Sequence, residues 1–328
     1  MDFNLSSSLF VGEQKFNAFA SDKIYDVIII GGGPAGMTAA VYCLRKGMTT
    51  GLITRQVGGQ MADTAGIENY LGYRYINGVE LADKFHDQVM QFGIDFENNT
   101  TVKSIKDGLY KEVILDDGRI FKTKTIIVAS GKLPRKLNVP GEKEFTGHGV
   151  TYCAICDGPF YKNKKVVVAG GGNAGIGAAI DLARIATHVT VVQRRDRLKA
   201  DKVLVDKLKH FDNVEVLLGH VVKEIHGSTT VESVAVENRE TGAQIDIPAD
   251  GIFVEVGSIP NSELARGLLH MNELDEIVID AFGRTNKEGI FAAGDVTDVP
   301  YKQIIIACGD AAKAALSATD YILSNPNF

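Results

Sequence analysis

Residues 25–36 read Tyr25-Asp26-Val27-Ile28-Ile29-Ile30-Gly31-Gly32-Gly33-Pro34-Ala35-Gly36, and their order decides the fold. Tyr25–Ile30 is apolar and β-branched, too short for a helix and suited to a buried parallel strand. A helical stretch follows the glycines to Lys46 and is stopped by Gly47. Strand, G-x-G-x-x-G and helix in that order form the fingerprint of a dinucleotide-binding fold. Gly31 allows the tight turn, Gly33 lets backbone approach a pyrophosphate, and Gly36 permits close helix packing. N–H groups at the helix start bind the phosphate. A glycine turn without a ligand is the alternative, but it would not need these flanking elements.

The pattern recurs. Lys165–Ala169 is a second apolar strand and Gly170-Gly171-Gly172-Asn173-Ala174-Gly175 a second fingerprint. A helix to about Ala186 then leads to a strand at His188–Val192. This internal duplication implies an α/β chain with two dinucleotide sites. The strand tips differ. After the first, Leu52-Ile53-Thr54-Arg55 offers no acid to a ribose, and Gly58-Gly59-Gln60 and Ile67-Glu68-Asn69-Tyr70 follow, with Gln60 and Asn69 as amide donors and acceptors. After the second comes Gln193-Arg194-Arg195-Asp196-Arg197-Leu198-Lys199. Arginines suit a 2′-phosphate through bidentate contacts, so this tip reads as an NADP(H) site. A solvated basic loop is the plainer alternative.

With 328 residues there is room for two domains with separate cores, and 45% hydrophobic with 23% charged residues is a globular composition. A net charge of −6 leaves no broad basic surface, so nucleic acid is not an expected partner. No apolar run approaches the ~20 residues that span a bilayer, so no membrane partner is expected. Met1–Lys23 lacks the basic start and apolar core of a secretory signal and reads as an irregular tail. Four cysteines do not make a disulfide scaffold, and a reducing cytosol fits them.

Thr151-Tyr152-Cys153-Ala154-Ile155-Cys156-Asp157-Gly158-Pro159 lies just ahead of the second fingerprint. Two cysteines at this spacing can close a small disulfide. A structural zinc would want a second ligand pair, and none is present, so no metal is expected. The working reading is a redox disulfide, set against half a zinc site or two unrelated buried thiols. Cys43 and Cys308 fall in helical patterns and read as small core hydrophobes. His148 reads as a surface turn residue. Lys103–Lys124 alternates around the hairpin signal Asp116-Asp117-Gly118, and Pro134 and Pro140 punctuate a linker after the strand Thr125–Ala129. Gly251–Val254 brings the chain back, Gly289–Asp295 is a strand halting at a carboxylate, and a long helix runs from about Tyr301 to Leu323.

With those pieces in place, the chain resembles the low-molecular-weight thioredoxin reductases from Tyr25 onward. Gly31–Gly36, Gly58-Gly59-Gln60, Glu68-Asn69, Cys153–Gly158, the second fingerprint, the arginine cluster, Ala292-Ala293-Gly294-Asp295 and Tyr301-Lys302-Gln303 carry the likeness. Val299–Ala307 is also similar to the reductase component of alkyl hydroperoxide reductase. The resemblance implies two Rossmann-like, FAD/NAD(P)-binding three-layer ββα domains, the second inserted in the first. An FAD-binding domain is expected at 24–137 and 252–328, an NADPH-binding domain carrying the cysteine pair at 138–251, and the tail at 1–23. The implied FAD contacts are Gly31, Gly33, Pro34, Ala35, Gly36, Thr54, Gly59, Gln60, Asn69, Gly294, Asp295, Lys302, Gln303 and Ile304. At the long helix, Gln303 and Ile304 would offer backbone donors and a positive dipole end to the flavin. NADPH, with NADH as the alternative, would be held by Gly170, Gly172, Asn173, Ala174, Gly175, Arg194, Arg195 and Lys199.

The same resemblance implies a relay from NADPH through FAD to a Cys153–Cys156 disulfide and on to thioredoxin or a thioredoxin-like small disulfide protein. Asp157 would handle protons. A cytoplasmic homodimer is expected, with a domain rotation about hinges near Leu137–Pro140 and Gly251–Phe253. Departures from the family pattern are Gln193 and Lys199 in place of the usual His and Arg, Gly177 where Glu is common, and Val57 in a shortened loop. Two other functions compete. One is an NAD(P)H-dependent reductase of a glutaredoxin-like or peroxiredoxin partner. The other, from a different class, is a flavin redox sensor without turnover, or a reductase with another electron donor.

Overall fold

The computed structural model describes residues 17–64 and 66–325, so positions 1–16 of the expected tail lie outside it. In chain order the first elements are β1 (Ile24–Ile30), α1 (Pro34–Arg45), β2 (Thr50–Ile53), α2 (Gly78–Met90), β3 (Asp95–Glu97), β4 (Val102–Lys106), β5 (Lys111–Leu115) and β6 (Ile120–Val128). Then come β7 (Lys132–Pro134), β8 (Val150–Thr151), α3 (Ala154–Asp157), β9 (Lys165–Ala169), α4 (Asn173–Ala183), β10 (His188–Gln193) and α5 (Lys202–Leu208). They are followed by β11 (Val214–Leu218), β12 (His220–Gly227), β13 (Val231–Asn238), β14 (Gln244–Pro248), β15 (Gly251–Val254) and β16 (Ser258–Pro260). The chain closes with β17 (Ile290–Ala292) and α6 (Ile304–Ser324). None of these helices is long and apolar enough to cross a membrane.

Two units emerge from the contacts, one of Met1–Ala62, Val79–Gly131 and Pro260–Phe328, the other of Asp63–Gly78 and Lys132–Ile259. In the first, a seven-stranded sheet has the order β3-β2-β1-β6-β5-β4, with β17 also on β6. The long β6 serves two neighbours on one edge: Ile120–Thr123 pairs antiparallel with β5 and Ile126–Val128 parallel with β17. β1 lies parallel between β2 and β6, so every residue from Val27 to Ile30 is buried. Ile28 and Ile30 join Phe121, Ile126 and Val128 in one core cluster, as a period of two demands. α1 packs on α6, and both bury small residues, Ala39 and Ala40 on one and Ala311, Ala314 and Ala318 on the other.

Residues 17–23, expected as tail, are bound into this unit. Asn17 bridges Asp95, and Phe19 is buried with its ring 4.9 Å from Tyr25 and 4.8 Å from Phe121. The Tyr25 hydroxyl and the Lys23 ammonium both donate to Asp95, each at 2.7 Å.

The second unit holds a five-stranded parallel sheet, order β11-β10-β9-β15-β8, and an antiparallel three-stranded sheet, β12-β13-β14. Alternation along β9 separates two cores. Val166 and Val168 face α4 with Ile176, Ala179 and Leu182, whereas Val167 and Ala169 join Val222, Val234 and Val236 of the smaller sheet. Sheet, sheet and helix make three layers, so the fold is the expected pair of Rossmann-like α/β units.

The contacts divide the chain at Gly131–Lys132 and Ile259–Pro260, beside the expected domain limits of 138 and 251. β7 pairs with β16, and the buried Glu142 carboxylate accepts the N–H groups of Leu137 and Asn138 at 2.8 and 2.7 Å. These contacts fasten residues 132–138 to the second unit. The long helix begins at Ile304 rather than Tyr301. Tyr301 sits at φ +60° and Gln303 is extended, conformations a right-handed helix cannot include. Likewise α4 ends at Ala183, three residues short of the expected limit.

Candidate active site

Both fingerprints take the shape their glycines require. Gly31 and Gly170 lie at φ +117° and +132°, and a β-carbon would fall 2.2 Å from the Ala129 oxygen or 2.3 Å from the Glu255 oxygen. A β-carbon on Gly36 would be 1.7 Å from the Gly31 oxygen, and one on Gly175 would be 2.1 Å from the Gly170 oxygen. Each helix is thereby drawn onto its own turn.

In the first unit, Gly33 caps α1 in extended conformation, with Pro34 next, no side-chain cap and no acid in the first turn. The Thr54 hydroxyl accepts Gly32 N–H at 2.9 Å and donates to the Gln56 oxygen at 2.8 Å. It ties the second strand tip to the glycine turn. Gly58 N–H donates to the Gly32 oxygen at 2.8 Å, which lays Gly58–Gly59 beside Gly33. Gln60 follows in the short turn Gly59–Asp63. Gly294 lies against Ala35 and Ala307, so Asp295 and the start of α6 at Gln303 and Ile304 belong to the same end of the sheet. The Lys302 ammonium pairs with Glu276 at 3.1 Å and donates to the Thr297 oxygen, and is committed to the protein itself. Asn69 lies in the segment Asp63–Gly78, which groups with the second unit.

Gly172 caps α4 with nothing within 4 Å of a β-carbon there, an open approach to the helix start. The Asn173 side chain is used on both sides: its Nδ2 donates to Asp201 at 3.0 Å and its Oδ1 accepts Asp201 N–H at 2.8 Å. Lys199 N–H donates to the Gly171 oxygen at 2.7 Å, and Gln193 Nε2 donates to the Arg197 oxygen at 3.0 Å. The loop from Arg194 to Asp201 is thus laced to the glycine turn, while Ala174, Arg194, Arg195 and Lys199 face solvent. Uncapped helix starts behind glycine turns, free of first-turn acids, are the donor set a dinucleotide pyrophosphate needs.

Cys153 and Cys156 form a disulfide with Cα atoms 5.3 Å apart. Cys153 caps α3, its Sγ accepting Cys156 N–H at 3.2 Å. Both are half-buried, and Ile155 between them is exposed. Asp157 follows directly. Its Oδ2 accepts the Thr151 hydroxyl, and its Oδ1 is buried without a hydrogen-bond partner among the described residues. Burial raises its pKa above the ordinary carboxylate value, an effect the Thr151 bond opposes. Tyr161, facing Asp157 and Asp250, is pushed up to about 12, chiefly by burial.

Sequence reading missed Thr151 and Glu255. Burial raises Glu255 to about 7, against the opposing N–H of Ala154 and charge of Lys132. Thr151 lies beside the cysteines in sequence and its hydroxyl shows a role only in the folded loop, whereas Glu255 is brought to the cysteine loop by the pairing of β15 with β9. Cys43 is fully buried and its thiol is pushed up to about 12, as a core thiol should be. Cys308 is buried too, and His148 lies exposed in a turn.

Two nucleotide sockets and a disulfide in one α/β chain define a nicotinamide- and flavin-using oxidoreductase class. Residues 25–315 match the pyridine nucleotide-disulphide oxidoreductase family, and the chain belongs to it. That family uses FAD and NAD(P)H. The chain is 43% identical over 307 residues to a protein named NADH dehydrogenase from Bacillus subtilis (strain 168), with 94% of this chain and 60% of that protein covered. It is 42% identical over 315 residues to the F component of alkyl hydroperoxide reductase from Pseudomonas putida, with 94% and 60% covered. The chain therefore spans about three-fifths of the length of these curated relatives. Among solved structures, the thioredoxin reductase from Streptococcus pyogenes MGAS5005 matches at TM-score 0.88 and 40% identity, covering 92% of this chain and 99% of that one.

Proposed function

We propose that the chain is an NADPH-dependent disulfide reductase whose protein substrate is thioredoxin or a thioredoxin-like small disulfide protein. The observation that carries this is the half-buried Cys153–Cys156 disulfide, with the Asp157 carboxyl beside it, in the same unit as the arginine-tipped second socket. FAD would be held in the first socket by the backbone of Gly31–Gly36 and Gly59, and would supply the two-electron exchange between nicotinamide and sulfur. Two electrons and a proton break the Cys153–Cys156 bond and leave one thiolate and one thiol. The thiolate attacks the partner's disulfide, and the remaining sulfur resolves the mixed disulfide, so the partner departs with one thiol and one thiolate, the latter protonated from water.

Asp157 holds the proton for this exchange. Its raised pKa keeps it nearer neutrality than an exposed carboxylate, and Thr151 aims it by fixing Oδ2. Arg194 and Arg195 favour a 2′-phosphate over a free ribose hydroxyl. A cytoplasmic homodimer is part of this reading.

A second reading is reduction of a peroxiredoxin-like partner, supported by the 42% identity to the alkyl hydroperoxide reductase component. Anaerobic titration with NADPH and then NADH tests the donor. NADPH should bleach the visible flavin absorbance faster. Addition of oxidised thioredoxin, or of a peroxiredoxin, then identifies the acceptor by recovery of colour. Cys156→Ser should abolish that recovery, and Asp157→Asn should slow it roughly 10²-fold. Absence of bleaching by either nucleotide would overturn the reading.

A further inference from the structure

One cation at the second socket comes from outside its strand tip. Arg239 follows β13 and opens the turn to β14. Its N–H donates to the Gly219 oxygen at 2.8 Å, and Gly219 N–H donates to the Arg195 oxygen at 2.9 Å. Its Nη1 donates to the Arg194 oxygen at 3.2 Å. The turn itself is fixed by Asn238, whose Oδ1 accepts the N–H groups of Glu240 and Thr241 at 3.0 and 3.1 Å. The guanidinium is therefore held against the main chain of Arg194 by a braced turn, which Gly219 ties to the main chain of Arg195.

The charges at this end of the unit are unbalanced. Arg194, Arg195, Arg197, Lys199 and Arg239 are all exposed, and none is in an ion pair among the described residues. The acids of the same two loops are Asp196, Asp201 and Glu240, and Asp201 is held by the Asn173 side chain. Arg119 and Arg266 are ion-paired elsewhere in the chain, with Glu97 and Asp117 and with Glu263 and Asp275. Gln193, a neutral amide, adds no charge, and it is buried and bonded to the Arg197 oxygen. Cations left unpaired and preorganised suit a dianionic phosphomonoester. One N–H of Arg239 goes to Arg194, and four of the five in its fork remain for a ligand.

We propose that Arg239 is a specificity-determining residue of the second nucleotide site, binding the 2′-phosphate of an adenosine nucleotide together with Arg194 and Arg195. This rests on the NADPH reading of that socket. The charge absent at Gln193 is supplied from the β13–β14 turn, which the smaller sheet carries to the strand tip.

Calorimetric titration of the full chain with 2′,5′-ADP and with 5′-AMP tests it without any turnover. Wild type should prefer 2′,5′-ADP by tenfold or more. Arg239→Ala should lose about tenfold for 2′,5′-ADP, equivalent to about 1.4 kcal/mol, with 5′-AMP unchanged. Arg239→Lys, which keeps the charge but not the fork, should recover part of that loss. An equal loss for both nucleotides would mean that Arg239 only shapes the socket, and would overturn the inference. Full preference in Arg239→Ala overturns it as well, and if Arg194→Ala abolishes the preference the NADPH reading stands alone. No preference in wild type overturns both.

Discussion

Glu255 lies one residue beyond β15, with its backbone oxygen against Gly170 and its carboxyl near the Ala154 N–H inside the cysteine loop. Its pKa rises from 4.5 to about 7, chiefly by burial. The folded form thus holds a proton that the unfolded chain releases between those values, so this group costs stability as pH rises from 4.5 to 7. Above that window the cost is complete, and below it vanishes. Glu255→Gln should therefore melt higher than wild type at pH 8, by on the order of 1–3 kcal/mol, with the gap closing on acidification. Thermal melts across the range decide it, and a gap independent of pH would refute the assignment. The same carboxylate, when ionised, faces the loop that carries the disulfide, so alkylation rates of the reduced thiols should shift with it.

At the scale of elements, two glycines of α4 make opposite demands. A β-carbon on Gly175 would overlap the Gly170 oxygen at 2.1 Å, whereas one on Gly177 meets nothing within 4 Å. Gly177→Ala should stabilise the protein by about 0.5–1 kcal/mol, the helix-propensity difference. Gly175→Ala should instead push the helix off its turn and weaken nucleotide binding at least tenfold. Chemical denaturation and dye displacement measure the two effects. The departure at Gly177 is thus a loss of helix stability with room to spare, not a packing requirement. Phe19 makes a parallel case in the first unit. A β-carbon on Gly51 would lie 2.3 Å from its ring, so the glycine and the aromatic fit one another, and Phe19→Ala should cost about 3–4 kcal/mol.

For the whole molecule, chain order places the disulfide and the second socket in one unit, while the first socket belongs to the other. Nicotinamide and disulfide must each reach the flavin, so we propose that the second unit rotates between two orientations. The chain crosses between the units at Ala62–Asp63, Gly78–Val79, Gly131–Lys132 and Ile259–Pro260, and we propose the last two as the hinges, beside the paired strands β7 and β16. Rotation against solvent slows with viscosity. Electron transfer to the disulfide after mixing with NADPH, before any partner is added, should slow in proportion to viscosity in sucrose. A rate indifferent to sucrose would argue against rotation.

The two fingerprints, the strands before them and the arginine tip could be read from sequence because each is local. A β-branched run, a glycine spacing and a helix start interact within a few residues, and their geometry admits few alternatives. The Cys153–Cys156 pair was legible for the same reason, and Asp157 through the family resemblance. Contacts between distant segments decided the rest. Phe19 joins the core because Gly51 leaves space for it, and the unit boundary lies at Gly131 because Glu142 and the β7–β16 pairing hold the proposed linker. Glu255 and Arg239 reach their sites only through strand pairing and turns that bring positions far apart in sequence together. Local patterns determine what elements form, but burial and hydrogen bonding depend on which elements become neighbours, and only the folded chain settles that.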